Sequence, residues 1–245
     1  MRISGLTLTT AAAMIILLGL GTWQLQRRAE KLSYIEHYEA GMRGAPQPFP
    51  PESLWPSTDF SKLEFAKVDF EGHFIPLPET HLYALISKSG HRFGGVGWWV
   101  IMPFALRDGG IVLVNRGFIP QEQKSPGLRP KSLATPDEQK LVGVVRLPEQ
   151  PNRFTPASSP DTNEWYLRDP GAFAAYISLD KTKVAPVVID QLTPNKNELP
   201  QAADGKLTIA NNHLQYAITW YALAIVLAVI YILMRRRRIA APTVH

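Results

Sequence analysis

Two long apolar segments lie near the ends of the chain. Residues 5–25 (GLTLTTAAAMIILLGLGTWQL) carry no formal charge, and residues 213–234 carry none when His213 is counted as neutral. A helix that crosses a bilayer needs about 20 apolar residues. We therefore predict transmembrane helices over residues 5–25 and residues 211–234.

A cleaved signal peptide is the alternative for the first segment, because Arg2 precedes an apolar core as it does in secretory signals. However, the apolar stretch is long for a signal core, and it leads to the bulky Trp23 instead of an A-x-A cleavage site. An uncleaved membrane anchor is therefore favoured.

Six short runs between these segments are rich in Val, Ile and aromatic residues, and Gly, Pro and Asp separate them. Such runs are typical of antiparallel strands. They cover residues 65–74, 80–86, 96–106, 111–119, 140–147 and 185–192. Asp108, Gly109 and Gly110 stand between the third and fourth runs and predict a β-hairpin.

Helix is expected in only two places in the middle of the chain. Residues 30–39 continue from the first span, and residues 170–177 begin with a proline suited to a first helical turn. The proline-rich residues 41–58 predict a covering loop or linker without helix. Residues 195–206 predict a polar connector to the second span.

The predicted fold class is a membrane α+β protein. Two antiparallel transmembrane helices bracket a mainly antiparallel-β exported domain, which has little helix and covers residues 26–210. Residues 1–4 form a short N-terminus, and residues 235–245 form a basic tail.

The four consecutive arginines at 235–238 follow the second span directly. The positive-inside rule places them in the cytoplasm, so that both termini are cytoplasmic and the β-rich domain is exported. Arg27, Arg28 and Lys31 argue the other way, but they lead into a loop far longer than those for which the rule holds. These outer basic residues therefore need another explanation.

The formal net charge is +5, and the four terminal arginines account for most of it. The excess therefore reports topology rather than a basic face, and nucleic-acid binding is not expected. The chain contains no cysteine. This excludes thiol redox chemistry, c-type haem attachment, thiolate copper sites and disulfides, and the absence of clustered Met also argues against copper insertion.

Asp69, Glu71 and His73 alternate along one predicted strand, so their side chains share a face and could bind a metal or perform acid–base chemistry. We favour a simpler interpretation, in which they form the polar outer face of a half-buried strand. The inward-facing residues would then be Val68, Phe70, Gly72 and Phe74.

No enzymatic constellation is found elsewhere in the sequence, and the chain is not expected to be an enzyme. The histidines at 37, 81 and 91 are isolated, and the serines at 87 and 89 lack a nucleophile-elbow signature. Arg116 and Arg146 could bind an acidic partner or ligand, although structural ion pairs are the favoured interpretation.

Polar residues open the second span, in the sequence NNHLQYA from Asn211. Asn212 is expected to cap the helix, with Gln215 at the third helical position, where it can reach back. His213 has no such role. The positive end of the helix dipole disfavours an imidazolium in the first turn, and a neutral imidazole is what haem iron needs as an axial ligand.

Ala217 and Trp220 follow His213 at i+4 and i+7, so a flat macrocycle on this face would meet a small residue and then an aromatic wall. Arg27 and Arg28 are expected at the same membrane depth and could pair with haem propionates. The alternative is an interfacial belt, in which His213 and its aromatic neighbours lie among lipid headgroups.

Three motifs resemble those of a known family: GTWQLQRRAEK after the first span, VNRGFIP in the β region, and NNHLQYAITWYALA at the second span. They are similar to motifs of the surfeit-locus-one (Shy-one) family of cytochrome c oxidase assembly factors, and the likeness covers nearly the whole chain. The resemblance implies a role in delivering haem a to oxidase subunit I, with haem a bound as cargo and His213 implicated in binding.

The expected partners are therefore oxidase subunit I, the haem a synthesis machinery and the lipid bilayer. No Arg- and Ser-rich presequence precedes the first span, which favours a bacterial inner membrane, with the main domain periplasmic, over an imported mitochondrial precursor. A processed mitochondrial form stays open, as does an assembly chaperone that holds subunit I without haem. A membrane-anchored hydrolase would need Asp69, Glu71 or His73 in a cleft.

Overall fold

The computed structural model describes residues 5–87, 92–195, 199–203, 205 and 211–240. The chain divides into two compact units. One contains Met1–His37 and Ile209–His245, and the other contains Tyr38–Thr208. The described residues do not include Ser89, Gly90 and His91, parts of the predicted connector, or the two extreme ends of the chain.

Two long helices form the first unit. Helix α1 covers Gly5–Arg43, and helix α3 covers His213–Ala240. Each contains a segment long and apolar enough to cross a membrane, as the sequence predicted. Helix α1 continues through the predicted residues 30–39, and α3 continues into the arginines that follow the apolar segment. Their membrane boundaries stay predictions.

The two helices run antiparallel. Near the start of α1, the Thr7 hydroxyl lies 3.0 Å from the Tyr231 hydroxyl, which is near the end of α3. Further along, the Thr22 hydroxyl lies 3.1 Å from the Tyr221 hydroxyl. Hydrogen bonds of this kind join helices in an apolar environment, where no water competes for them.

Gly21 allows the two helices to approach closely. A Cβ atom at this position would lie 2.8 Å from the ring of Tyr221, which is closer than real Cβ atoms come to a neighbour. Small residues are enriched where transmembrane helices pack, because they let the backbones come together. Gly21 therefore leaves the space in which the Tyr221 ring lies, so that the Tyr221 hydroxyl reaches Thr22.

A seven-stranded sheet forms most of the second unit. The strands are β1 (Gln47–Pro48), β2 (Lys67–Phe74), β3 (Thr80–Ile86), β4 (Gly95–Leu106), β5 (Ile111–Pro120), β6 (Gln139–Arg146) and β7 (Val184–Gln191). The six predicted runs thus form strands, each shifted by at most two residues at an end. Five pairings are antiparallel, and the β1–β2 and β5–β7 pairings are parallel.

The strand order is β1-β2-β6-β7-β5-β4-β3, and an additional β2–β4 pairing curls the sheet into a barrel-like form. This closure places Gly72 of β2 opposite Leu106 of β4. A Cβ atom at position 72 would collide with the Ala105 carbonyl and the Phe104 ring. Only glycine allows the two backbones to approach this closely.

The main core fills the inside of the sheet. Phe104 is fully buried, and the rings of Phe70 and Phe74 meet it edge to face, with centroid distances of 5.2 and 5.0 Å. A second core lies beneath the short helix α2 (Pro170–Tyr176), where Phe173 packs toward β7. Aromatic contacts of this kind stabilise by about 0.5–1.5 kcal/mol beyond simple area burial.

Two local signals in the sequence are confirmed. Gly109 and Gly110 both adopt positive φ in the β4–β5 hairpin, a conformation that glycine reaches without strain. Pro170 opens α2 at its first turn, and the Asp169 side chain accepts a hydrogen bond from the Ala172 amide as its N-cap.

The prediction of a covering loop without helix over residues 41–58 was wrong. Helix α1 continues to Arg43, β1 adds a short parallel strand to β2, and Glu52–Ser57 forms 3-10 turns with Pro56 inside. Proline is incompatible with a long α-helix because it lacks an amide proton. A short 3-10 segment has few internal hydrogen bonds to lose, so it tolerates the residue.

Candidate functional site

His213 is the first residue of α3, at the position where the polar sequence gives way to the apolar segment. The preceding residue, Asn212, occupies the predicted N-cap position, because its carbonyl accepts a hydrogen bond of 3.2 Å from the Tyr216 amide. The imidazole is therefore held in the first helical turn, with its backbone fixed by the helix.

The His213 ring contacts the other helix of its unit. Its Nδ1 atom lies 2.7 Å from Oε1 of Gln24 in α1. A carbonyl oxygen can only accept a hydrogen bond, so in this arrangement Nδ1 carries the proton. In the neutral ring the lone pair then lies on Nε2, the nitrogen available to a metal.

The predicted neighbours of His213 lie on the same helix. Ala217 is buried, with 1% of its surface exposed, and Trp220 is half-buried. This part of α3 is therefore already covered, and a flat ligand could reach Ala217 only if the covering side chains moved. The Nε1 proton of Trp220 and the Oδ1 atom of Asn211 are buried without a partner among the described residues. Both could satisfy polar groups of a ligand.

Arg27 and Arg28 follow the apolar part of α1. The Nη1 atom of Arg27 donates to Glu30 Oε2 at 2.6 Å, and both side chains are more than half exposed. Exposed pairs of this kind contribute at most about 1 kcal/mol, so another anion can replace Glu30 at little cost. Arg28 is half-buried, and no ion pair is found for it among the described residues.

The alternating residues of β2 form an outer polar face, as the favoured interpretation predicted. Val68, Phe70, Gly72 and Phe74 are buried, whereas the residues between them are partly or fully exposed. Asp69 pairs with Lys140 at 2.7 Å, and Glu71 pairs with Arg107. No group of His, Cys, Asp and Glu in the described part of the chain is arranged to hold a metal ion.

A buried charged cluster in the second unit was missed by the sequence analysis. Arg129 donates to both carboxylate oxygens of Glu79, and His81 Nε2 lies 3.3 Å from Glu79 Oε2. The Nδ2 atom of Asn163 lies 3.1 Å from His81 Nδ1. The prediction that His81 is isolated was therefore wrong. The i, i+2 spacing of Glu79 and His81 was the available signal, since it places both side chains on one face.

The electrostatics of this cluster centre on Glu79. Burial alone raises the pKa of its carboxyl group, but hydrogen bonds from His81 and Arg129 outweigh this, and the pKa falls to about 2. Glu79 is therefore an anion at neutral pH, and it supplies a counter-charge inside the domain.

The two arginines singled out in the sequence differ in their partners. Arg146 pairs with Asp190 at 2.9 Å, so it has the structural ion pair that was favoured. Arg116 is buried, with 5% of its surface exposed, and no ion pair is found for it among the described residues. The alternative role of Arg116, binding an acidic ligand, therefore stays open.

Together, the fold and the site define a class: two helices of membrane-spanning length that bracket a barrel-like β domain, with a histidine at the start of the second helix. The SURF1 family model matches residues 11–225. The chain therefore belongs to the SURF1 family, generally known as cytochrome oxidase assembly factors, as the three motifs had indicated.

Curated relatives from distant organisms share this similarity. Surfeit locus protein 1 of Mus musculus is 34% identical over 216 residues, which cover 84% of this chain and 67% of the relative. The human protein of the same name is 33% identical over 222 residues, which cover 84% of this chain and 69% of that relative. The SURF1-like protein of the bacterium Rickettsia conorii is 29% identical over 231 residues, which cover 94% of this chain and 90% of that relative.

Proposed function

We propose that this protein is a cytochrome c oxidase assembly factor that binds haem a and assists its delivery to oxidase subunit I. Membership of the SURF1 family supports the general role in oxidase assembly. The proposal adds haem a as the cargo, with the haem a synthesis machinery upstream and subunit I downstream. It also places the protein in a bacterial inner membrane, with both termini cytoplasmic and the β domain periplasmic.

The observation that carries the proposal is the contact between His213 and Gln24. Metal-binding histidines commonly donate their second ring proton to a carbonyl or carboxylate, which fixes the tautomer and the ring orientation. The 2.7 Å contact with Gln24 Oε1 has this form. It leaves Nε2 as the atom that would approach the haem iron.

The surrounding residues have proposed roles in holding the macrocycle. Trp220 would present an aromatic wall, and Ala217 would leave room for the ring after its covering side chains have moved. Arg27 and Arg28 would pair with the two propionates. The chain itself would contribute binding, orientation and charge neutralisation, and no catalytic residue is proposed.

The test is co-expression with haem a synthesis, purification in detergent and a visible spectrum. The wild-type protein should carry haem with a Soret band. His213→Ala should abolish or shift this band, because the iron loses an imidazole ligand. Tyr216→Phe is the matched control, because Tyr216 is an exposed neighbour in the same turn, and its spectrum should be unchanged. An unaltered spectrum in a folded, inserted His213→Ala protein would overturn the ligand assignment and favour the interfacial belt.

One observation favours a second candidate, an assembly chaperone that holds subunit I without haem. Ala217 is buried, so the face that would receive the macrocycle is already filled. A chaperone would co-purify with subunit I and show no Soret band, even when haem a synthesis is active. The same purification therefore separates the two candidates.

A further inference from the structure

A cavity of about 220 Å³ opens beside Arg116 in the β-rich unit. Lys131 and Lys140 also line it, of which Lys140 pairs with Asp69, and none of the described residues that line it is Asp or Glu. Like charges gathered around a cavity raise its potential and attract ions of the opposite sign. The cavity is therefore suited to an anion.

Arg116 is the best-placed charge in this cavity, because its guanidinium is held rigidly. Its Nη1 atom donates to the Ser132 carbonyl at 2.9 Å, and its Cζ atom lies 5.2 Å from the centre of the Phe74 ring. Its Nε atom is buried and donates to no partner in the described part of the chain. A buried N–H group without an acceptor is costly, and native structures rarely retain one without a reason.

The described residues supply a carboxylate partner for Arg129 but none for Arg116. Arg116 and Arg129 are both about 95% buried, and Glu79 accepts two hydrogen bonds from Arg129. Glu79 acts on Arg116 through space only, with no ion pair between them among the contacts of the described residues. Within the described part of the chain, the buried charge of Arg116 therefore has no ion-pair partner.

This charge persists at neutral pH. Burial is the main cause that lowers the pKa of Arg116 to about 10; the charge of Glu79 opposes this shift, and that of Arg129 adds to it. Even so, the pKa stays well above 7, so the guanidinium remains protonated in the periplasm or in any neutral compartment.

We propose that this cavity binds the carboxylate group of a small organic acid, with Arg116 as its charge partner. A planar guanidinium matches the two oxygens of a carboxylate. The apolar lining of Phe74, Leu141 and Leu199 suits the methylene groups of such an acid. This binding is independent of the proposed haem site.

The size of the cavity restricts the ligand. A volume of about 220 Å³ equals that of about seven water molecules, and drug-sized ligands occupy larger pockets, of about 300 Å³ or more. A molecule such as succinate would fit, whereas a macrocycle would not. Inorganic phosphate has no methylene groups to contact the apolar lining, so we expect it to bind more weakly than succinate.

The experiment measures thermal unfolding of the purified full-length protein in detergent, titrated with sodium succinate, sodium acetate or inorganic phosphate against sodium chloride at equal ionic strength. Succinate should raise the unfolding temperature in a saturable manner. Arg116→Gln should weaken succinate binding at least about tenfold, since a charge-assisted hydrogen bond is lost. Arg153→Gln, which removes an exposed arginine of the same domain, should bind succinate like the wild type.

A second variant covers the case in which Arg116→Gln does not fold. Ala134 lines the cavity, so Ala134→Leu should fill the space, keep the guanidinium and abolish the succinate effect. Three results would overturn the proposal: no saturable effect beyond chloride in the wild type, an equal effect in Arg116→Gln or Ala134→Leu, or binding of phosphate as tight as that of succinate.

Discussion

The imidazole of His213 is oriented by Gln24, a residue 189 positions away in the sequence, through a contact of 2.7 Å between Nδ1 and Oε1. The two residues lie on different helices, so this contact requires α1 and α3 to pack against each other. Gln24 of α1 thereby determines that Nε2 of His213 is the ring nitrogen available to a metal. The first prediction follows from this relationship.

Gln24→Leu removes the acceptor for the Nδ1 proton but leaves His213 in place. We expect the ring to lose its fixed orientation. The affinity for haem should then fall by about 10–100-fold, as is usual when the partner of a metal-binding histidine is lost. Haem per protein and the position of the Soret band measure this. Gln26→Leu is the control, because Gln26 is exposed and two positions away on α1. Equal haem retention in both variants would remove Gln24 from the site.

Local composition predicted the strands well, because the strand runs are rich in Val, Ile and aromatic residues and are bounded by Gly, Pro or Asp. The β4–β5 hairpin could be predicted for the same reason, since the two glycines determine the turn. The parallel pairing of β5 with β7 could not, because the alternation along a strand does not say which strand lies beside it. The two-residue β1 is too short to show any alternation.

At the candidate site, too, some features could be predicted from the sequence and others depend on tertiary packing. The sequence predicts that Arg27 and Arg28 lie at the depth of His213, because two antiparallel spans bring the end of one to the start of the other, and Gln24 lies in the same part of α1. The burial of Ala217 depends on side-chain packing, which spacing along one helix does not determine. The pairing of Glu79 with Arg129 joins residues 50 positions apart, with no local motif to mark it.

Arg27 and Arg28 provide the second prediction. Changing both to Gln should lower haem retention, because charge pairing with the propionates is lost, while membrane insertion stays intact. Stability should change by no more than about 1 kcal/mol, because the Arg27–Glu30 pair is exposed. Glu30→Gln is the matched variant: it frees Arg27, so haem retention should stay equal or rise. If the haem content of the double variant is unchanged, the two arginines act as interfacial anchors and do not bind propionates.

The absence of native cysteine makes the predicted topology easy to test. Phe154 is 79% exposed in the β-rich unit, so Phe154→Cys introduces a single accessible thiol. A membrane-impermeant maleimide should label it in intact spheroplasts, whereas a cysteine added after residue 245 should react only after lysis. A reporter fusion at Gly90, which lies outside the described residues, should likewise report export. Labelling of the C-terminal cysteine without lysis would reverse the predicted orientation.

The buried Glu79 cluster predicts a stability that depends on acid pH. The folded-state pKa of Glu79 lies at about 2, below the ordinary value of 4.5. Because the folded value is depressed, the contribution of Glu79 is complete above about pH 4.5 and is lost as the pH falls through about 2. Its size is on the order of 3 kcal/mol.

Urea unfolding of the full-length protein in detergent, followed by tryptophan fluorescence between pH 2 and pH 7, measures this contribution. The wild-type midpoint should fall steeply over the acid range. Glu79→Gln should be less stable at pH 7 by about 3–5 kcal/mol, because Arg129 loses its buried partner, and its midpoint should vary less with pH. Glu122→Gln, at an exposed position, should keep the wild-type slope. If Glu79→Gln and the wild type lose stability in parallel between pH 5 and pH 2, the acid sensitivity arises elsewhere and the cluster does not control it.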